Sequence, residues 1–146
     1  MILLDTNIVS EVMRATPDAM VVEWLNRQDS SALYLSTITI GEIAYGLRIL
    51  PQGKRRSRLG ERFEHFVAQA FAHRVLAFDE PAARLYAEVM GARKERGRPM
   101  SAMDGQIAAI ARCNHLAVAT RNVADFEHCG LDVLDPFRSG ARRSWS

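Results

Sequence analysis

Met1-Ile2-Leu3-Leu4-Asp5-Thr6-Asn7-Ile8-Val9-Ser10-Glu11-Val12-Met13 decides the fold of this chain. Four apolar residues run unbroken and stop at Asp5-Thr6-Asn7, after which Ile8, Val9, Val12 and Met13 recur at helical spacing. A continuous apolar run bounded by polar residues is the pattern of a strand buried on both faces, and such strands belong to parallel sheets covered by helices. In open parallel sheets the functional crevice lies beyond the carboxyl ends of the strands. Asp5 is therefore either an N-cap or Asx turn opening the next helix, or a carboxylate aimed at a ligand.

Outward from this stretch the same alternation repeats. Short apolar runs near 1–4, 33–36, 75–78, 117–119 and 131–134 are separated by helical stretches, which predicts an α/β fold with about five short strands. Thr16-Pro17 reads as a cap ahead of a proline at the first helical position, and Asp79-Glu80-Pro81 repeats the logic. The helix after Pro81 carries Ala82, Leu85, Tyr86, Val89 and Met90 on its buried face. It closes on Arg93, Lys94 and Arg96 before Gly97, cations suited to the negative end of the helix dipole. Lys54-Arg55-Arg56-Ser57-Arg58 opens a helix whose buried face is Leu59, Phe63, Phe66, Val67 and Ala70; this basic start either touches phosphates or is solvated surface.

The composition bounds the rest. A chain of 146 residues, 48% hydrophobic and 25% charged, fits one domain with a sizeable core. No apolar run approaches the roughly 20 residues of a membrane span, so a cytoplasmic protein with no membrane partner is expected. Cys113 and Cys129 form no C-x-x-C pair and read as packing residues, and His65, His73, His115 and His128 lack metal-ligand spacing. No G-x-S-x-G elbow or Walker A loop is present. A net charge of +2 is mild, yet gathering four carboxylates at one cation would leave a basic body around an acidic hole, an arrangement suited to a polyanion.

The three other candidate acids are Glu42, Asp104 and Asp125. Glu42 lies beside the stripe Ile40, Ile43, Leu47 and Leu50, among small residues Gly41, Ala44 and Gly46; it looks into a crevice or complements a helix dipole. Asp104 shares a helix face with Ile107, Ala108 and Ala111, where an ionised carboxylate needs a cation, donors or a proton; alternatively Ser101 and Asp104 form a capping box. Asp125 follows the strand near 117–119 in Thr120-Arg121-Asn122-Val123-Ala124-Asp125, where Thr120 or Asn122 either caps a short helix or supports a ligand.

Together, Met1-Ile2-Leu3-Leu4-Asp5-Thr6-Asn7, Glu42-Ile43-Ala44-Tyr45-Gly46, Asp104-Gly105-Gln106-Ile107-Ala108-Ala109 and Thr120-Arg121-Asn122-Val123-Ala124-Asp125-Phe126 resemble the PIN-domain nucleases, in particular the VapC/FitB-like toxins of bacterial type II toxin–antitoxin pairs. The resemblance spans about residues 1–136, in order, and leaves residues 137–146 as a C-terminal tail with no assigned role. It implies a three-layer fold and an endoribonuclease toxin dependent on Mg²⁺, or Mn²⁺ in its place, in which metal-activated water cuts RNA to leave a 5′-phosphate and a 3′-hydroxyl. It implies Asp5 and Asp104 as the principal metal ligands and catalytic acids, with Glu42 and Asp125 acting through water or a second ion. Asp125 is taken as the fourth acid, and Thr6, Asn7, Thr120 and Asn122 as supporting polar residues. The implied partners are RNA, a cognate antitoxin, a second copy in a homodimer or larger toxin–antitoxin assembly, and DNA only through the antitoxin. Trp24 and Leu25 either line an antitoxin groove or belong to the core. Two other readings stand beside this one. A phosphotransferase of the haloacid-dehalogenase type would need an aspartate at position 7, which is Asn, and a non-cleaving partner of a DNA-binding antitoxin would modulate operator binding alone.

Overall fold

The computed structural model describes residues 1–138 and the backbone of residues 142–145. In chain order the elements are β1 (Ile2–Leu4), α1 (Thr6–Val12), α2 (Ala19–Arg27), β2 (Leu33–Ser36), α3 (Thr37–Arg48), α4 (Lys54–Ala70), β3 (Val75–Leu76), α5 (Glu80–Glu95), α6 (Ala102–Cys113), β4 (Ala117–Ala119), β5 (Leu131–Leu134) and β6 (Arg142–Trp145). The sheet order is β3-β2-β1-β4-β5-β6, with β1 to β5 parallel and β6 antiparallel on β5. The expected five-stranded parallel α/β sheet is present. Within the expected tail, the backbone of Arg142–Trp145 adds a strand that the sequence reading did not foresee.

Period-two alternation divides the core into two layers. Leu3 and Val118 face α5 and α6, packing with Ala82, Val89, Ile107 and Ile110. Leu4, Leu35 and Ala119 face the opposite way onto Ile8, Val9, Val21, Ile43 and Phe63 of α1 to α4. Helices cover both faces, which is why the strands read as unbroken apolar runs. Each buried Leu, Ile or Phe side chain contributes roughly 1.5–3 kcal/mol by leaving water, so these layers dominate stability.

Helix starts follow the capping chemistry, with one correction. Asp79 caps α5 by accepting from the Ala82 amide at 3.1 Å, and Ser101 caps α6 by accepting from the Asp104 amide at 3.1 Å. The α2 cap is Asp18, not Thr16: its carboxylate accepts from the Met20 and Val21 amides, so the helix begins two residues beyond Pro17. An Asp in reach of two free amides outcompetes the Thr-Pro signal. β3 also ends earlier than the run 75–78 suggested, because Phe78 turns to stack edge-to-face on Tyr86 while Asp79 caps α5.

The chain winds from β1 outward to β2 and β3, then returns across β1 to β4 and β5. The strand order thus reverses at β1, and the carboxyl end of β1 opens between its neighbours. That is the switch point at which parallel sheets bind ligands.

Candidate active site

Asp5 is the first residue past β1, still tied to the ladder through its amide, which donates to the Ala119 carbonyl at 2.9 Å. Its carboxylate is 5% exposed and fully engaged. Oδ1 accepts from the Thr6 amide at 2.8 Å, and Oδ2 accepts from the Thr120 hydroxyl at 2.8 Å and the Asn7 side-chain amide at 3.2 Å. Thr120 is the first residue past β4 and also accepts from Asn7 Nδ2 and from the Asn122 amide. Asn7 Oδ1 in turn accepts from the Arg121 amide at 3.1 Å, joining the β1 and β4 ends into one network. Asp5 is both the α1 cap and a carboxylate at the crevice, so its two readings coincide.

Glu42, in the second turn of α3, is held from α1: the Thr6 hydroxyl lies 2.9 Å from Glu42 Oε1 and 3.0 Å from Thr39 Oγ1. Thr39 is buried and bonded to Ser36, the α3 cap, so the position of Thr6 is set by the β2–α3 junction. Asp104 sits in the first turn of α6, its backbone fixed by Ser101. Replacing this cap, Ser101→Ala, is expected to cost about 1 kcal/mol by thermal melting and to weaken divalent-cation binding through the loosened turn.

Asp5, Glu42 and Asp104, from three remote stretches of sequence, line one open cavity of about 490 Å³ together with Thr6, Asn7, Ser10, Glu11, Arg14 and Asn122. Asp125 does not line it. It lies in a short helical turn (Val123–Phe126) and lines a neighbouring hollow of about 290 Å³ with Arg121, Asn122 and Asp135, so Asn122 is the residue shared between the two. The charge of Asp125 nevertheless reaches Asp104 and raises its pKa, after the larger effect of burial.

A profile of the PIN domain family matches residues 2–129, the span that holds every residue of this cavity. The chain is a PIN-domain protein. Its relatives place it in the VapC/FitB branch. It is 44% identical to the VapC ribonuclease Y4jK of Sinorhizobium fredii, over 94% of this chain and 98% of that protein. It is 42% identical to the toxin FitB of Neisseria gonorrhoeae, over 94% of this chain and 99% of that one. The structure of FitAB bound to an IR36 DNA fragment superposes with a TM-score of 0.91 at 40% identity, covering 97% of this chain and 99% of the matched chain.

The electrostatics of this PIN domain suit a hard cation. Burial pushes the Asp5 carboxyl up to about 6, with further upward contributions from Asp104 and Glu42 that the Thr120 and Thr6 hydrogen bonds only partly offset. Gathered carboxylates raise one another in this way unless a cation neutralises them.

Three features of the PIN domain escaped the sequence reading. Glu11 is buried at the cavity wall, pairing with Arg14 at 3.2 Å and accepting from the Asp18 amide at 2.9 Å; its place between Asn7 and Met13 on α1 was the available signal. Beyond Thr6 and Glu42 the cavity continues into a groove of about 680 Å³ lined by Arg14, Arg55, Arg58 and Arg62 and by the apolar Ile43, Leu47, Leu50 and Leu59. Trp24 and Leu25 are not on this groove; they pack against the core layer of Leu4, Ile8 and Phe63. Arg93 is buried rather than part of a solvated helix end.

Proposed function

We propose that this protein is a Mg²⁺-dependent endoribonuclease, the toxin of a type II toxin–antitoxin pair acting in the cytoplasm. The observation that carries the reading is the convergence of Asp5, Glu42 and Asp104 on one cavity at the switch point of the sheet. Asp5 and Asp104 would hold the cation, with Glu42 and Asp125 reaching it through water. Mg²⁺, or Mn²⁺ in its place, would supply a more acidic water and neutralise charge at the phosphodiester.

The chain's own residues do the rest. Thr120 and Asn7 orient Asp5 so that its carboxylate cannot rotate, and Thr6 aims Glu42 across the same cavity. The arginines of the adjoining groove face an incoming polyanion. α4 begins Lys54-Arg55-Arg56 at its positive end, where cations are unfavourable unless anions visit them. An antitoxin segment lying in the groove would pair with its apolar residues, Ile43 and Leu47, and cover the arginines at once, which links binding to inhibition. Tyr45 on α3 and Ile49 at its C-cap, exposed one turn apart, offer an apolar face for a second copy. DNA would be reached only through the antitoxin.

The purified protein, incubated with a broad RNA panel, is expected to cut in Mg²⁺, to stop in EDTA and to leave 5′-phosphate ends. Inertness across that panel, combined with tighter operator binding by the antitoxin in its presence, would instead favour the non-cleaving partner. The groove has its own test. Reversing Arg55 and Arg58 to Glu is expected to lower kcat/KM for RNA about tenfold or more and to flatten its salt dependence by roughly one to two units of slope, with the Mg²⁺ requirement unchanged.

A further inference from the structure

Arg93 is 4% exposed, although it closes α5 in a run of charged residues whose neighbours Lys94 and Arg96 are solvated. Among the described residues it makes no ion pair; it lies against the Cys129 thiol, and its strongest donations go to backbone carbonyls. Nε donates to Arg98 O at 2.6 Å, and one terminal nitrogen donates to Glu127 O at 2.8 Å, Asp125 O at 3.0 Å and, more weakly, Ala124 O at 3.4 Å. A buried cation with no carboxylate paired to it is costly to keep for folding alone, because an apolar side chain of similar volume would avoid the desolvation.

The two segments it joins explain its presence. Arg98 belongs to the α5–α6 connection, which leads into Ser101, the cap that fixes the turn bearing Asp104. Ala124, Asp125 and Glu127 belong to the turn after β4. The planar guanidinium, with donors at fixed angles, spans both segments, which one ammonium cannot do. We propose that Arg93 is a positioning residue for the acidic side of the cavity: it holds the Asp125 turn against the start of α6, and so sets how tightly Asp104, with Asp125 acting through water, binds a divalent cation. The inference rests on the ribonuclease reading and deepens it. A second brace joins the same segments at the surface, Arg98 Nη1 to Glu127 Oε2 at 2.9 Å, and supplies a control.

The experiment compares the full-length wild type with Arg93→Met, Arg93→Lys and Arg98→Ala. Mn²⁺ affinity is read by electron paramagnetic resonance, and RNA cleavage is followed against Mg²⁺ concentration. For Arg93→Met, Mn²⁺ binding and the Mg²⁺ concentration for half-maximal cleavage are expected to worsen about tenfold to a hundredfold, as when a partner of a metal ligand is lost. KM for RNA at saturating Mg²⁺ should stay as in the wild type. Arg93→Lys should fall between, and Arg98→Ala should change the affinity less than either. A folded Arg93→Met that binds Mn²⁺ like the wild type overturns the proposal. If Arg93→Met does not fold, Arg93→Lys decides: weaker Mn²⁺ binding supports the proposal and unchanged affinity overturns it. A wild type that neither binds Mn²⁺ nor cleaves RNA refutes the ribonuclease reading itself, a result distinct from any difference between variants.

Discussion

Asp5→Asn is expected to reduce Mg²⁺-dependent RNA cleavage by about a thousandfold or more while making the metal-free protein more stable. The first effect follows from removing the charge that anchors the cation; a loss of roughly 4 kcal/mol of transition-state stabilisation is a thousandfold in rate. The second follows from burial. In the folded chain the Asp5 carboxyl titrates at about 6, above its ordinary 3.8, so the folded state holds the proton more tightly than the unfolded state does. Stability contributed by this group is complete below the unfolded pKa and is lost as pH rises through the window from 3.8 to about 6. A displacement of that size corresponds to at most about 3 kcal/mol at neutral pH. Asparagine removes that penalty, retains an oxygen for the Thr6 amide, and sets its own amide against Asn7, so the net gain should be about 1–2 kcal/mol, or roughly 3–6 °C in Tm. The melting temperature of the metal-free wild type should therefore fall between pH 4 and pH 7 and recover on adding Mg²⁺, whereas Asp5→Asn should follow neither. An Asp5→Asn protein that cleaves RNA normally, or whose Tm tracks pH as the wild type does, would sink this account.

Gly105→Val should carry the largest cost in stability, about 1–3 kcal/mol, and should lower cleavage although residue 105 touches no substrate. Gly105 is buried where α6 crosses α5, and a Cβ there would meet Met90 Sδ at 2.4 Å and Tyr86 Cε2 at 3.0 Å. Met90 can swing away, but the Tyr86 ring is braced edge-to-face on Phe78, so a branched side chain must push the helices apart. Asp104 precedes Gly105 and moves with that displacement. Thermal melting and Mg²⁺-dependent cleavage together check the expectation. Gly105→Ala should be milder in both, since one methyl asks mainly for a new Met90 rotamer. If Gly105→Val melts with the wild type, α5 and α6 are not packed as tightly as the distances require.

The strands and most helices were legible because their signals are local. Leu3-Leu4 and Val118-Ala119 lie in sheet strands covered on both faces, and nothing distant alters an unbroken apolar run. Asp5, Glu42 and Asp104 were legible as well, each standing at a strand end or in an early helix turn, and the fold brings them to one cavity. Arg93 was misread because a cation in the last turn of a helix satisfies the dipole in any context; only the approach of residues 124–127, some thirty positions on, turns it inward. The positions of Asn122 and Asp125 were beyond reach for the same reason. Asn122 directs its backbone amide to Thr120, and the tight turn that follows carries Asp125 to the next hollow, an offset that residue spacing does not encode.

The central place of β1 has a consequence for synthesis. β1 is translated well before β4, yet it pairs with that strand at Ala117–Ala119, and Asp5 takes a hydrogen bond from Thr120. A nascent polypeptide that has left the ribosome only as far as α5 possesses neither Asp104 nor the strand that completes the crevice. Such long-range pairing also forms slowly, since the loop must close before its contacts reward it. Any activity seated in this crevice is therefore absent from a growing chain until the segment Ala117–Thr120 has been made and has paired with β1.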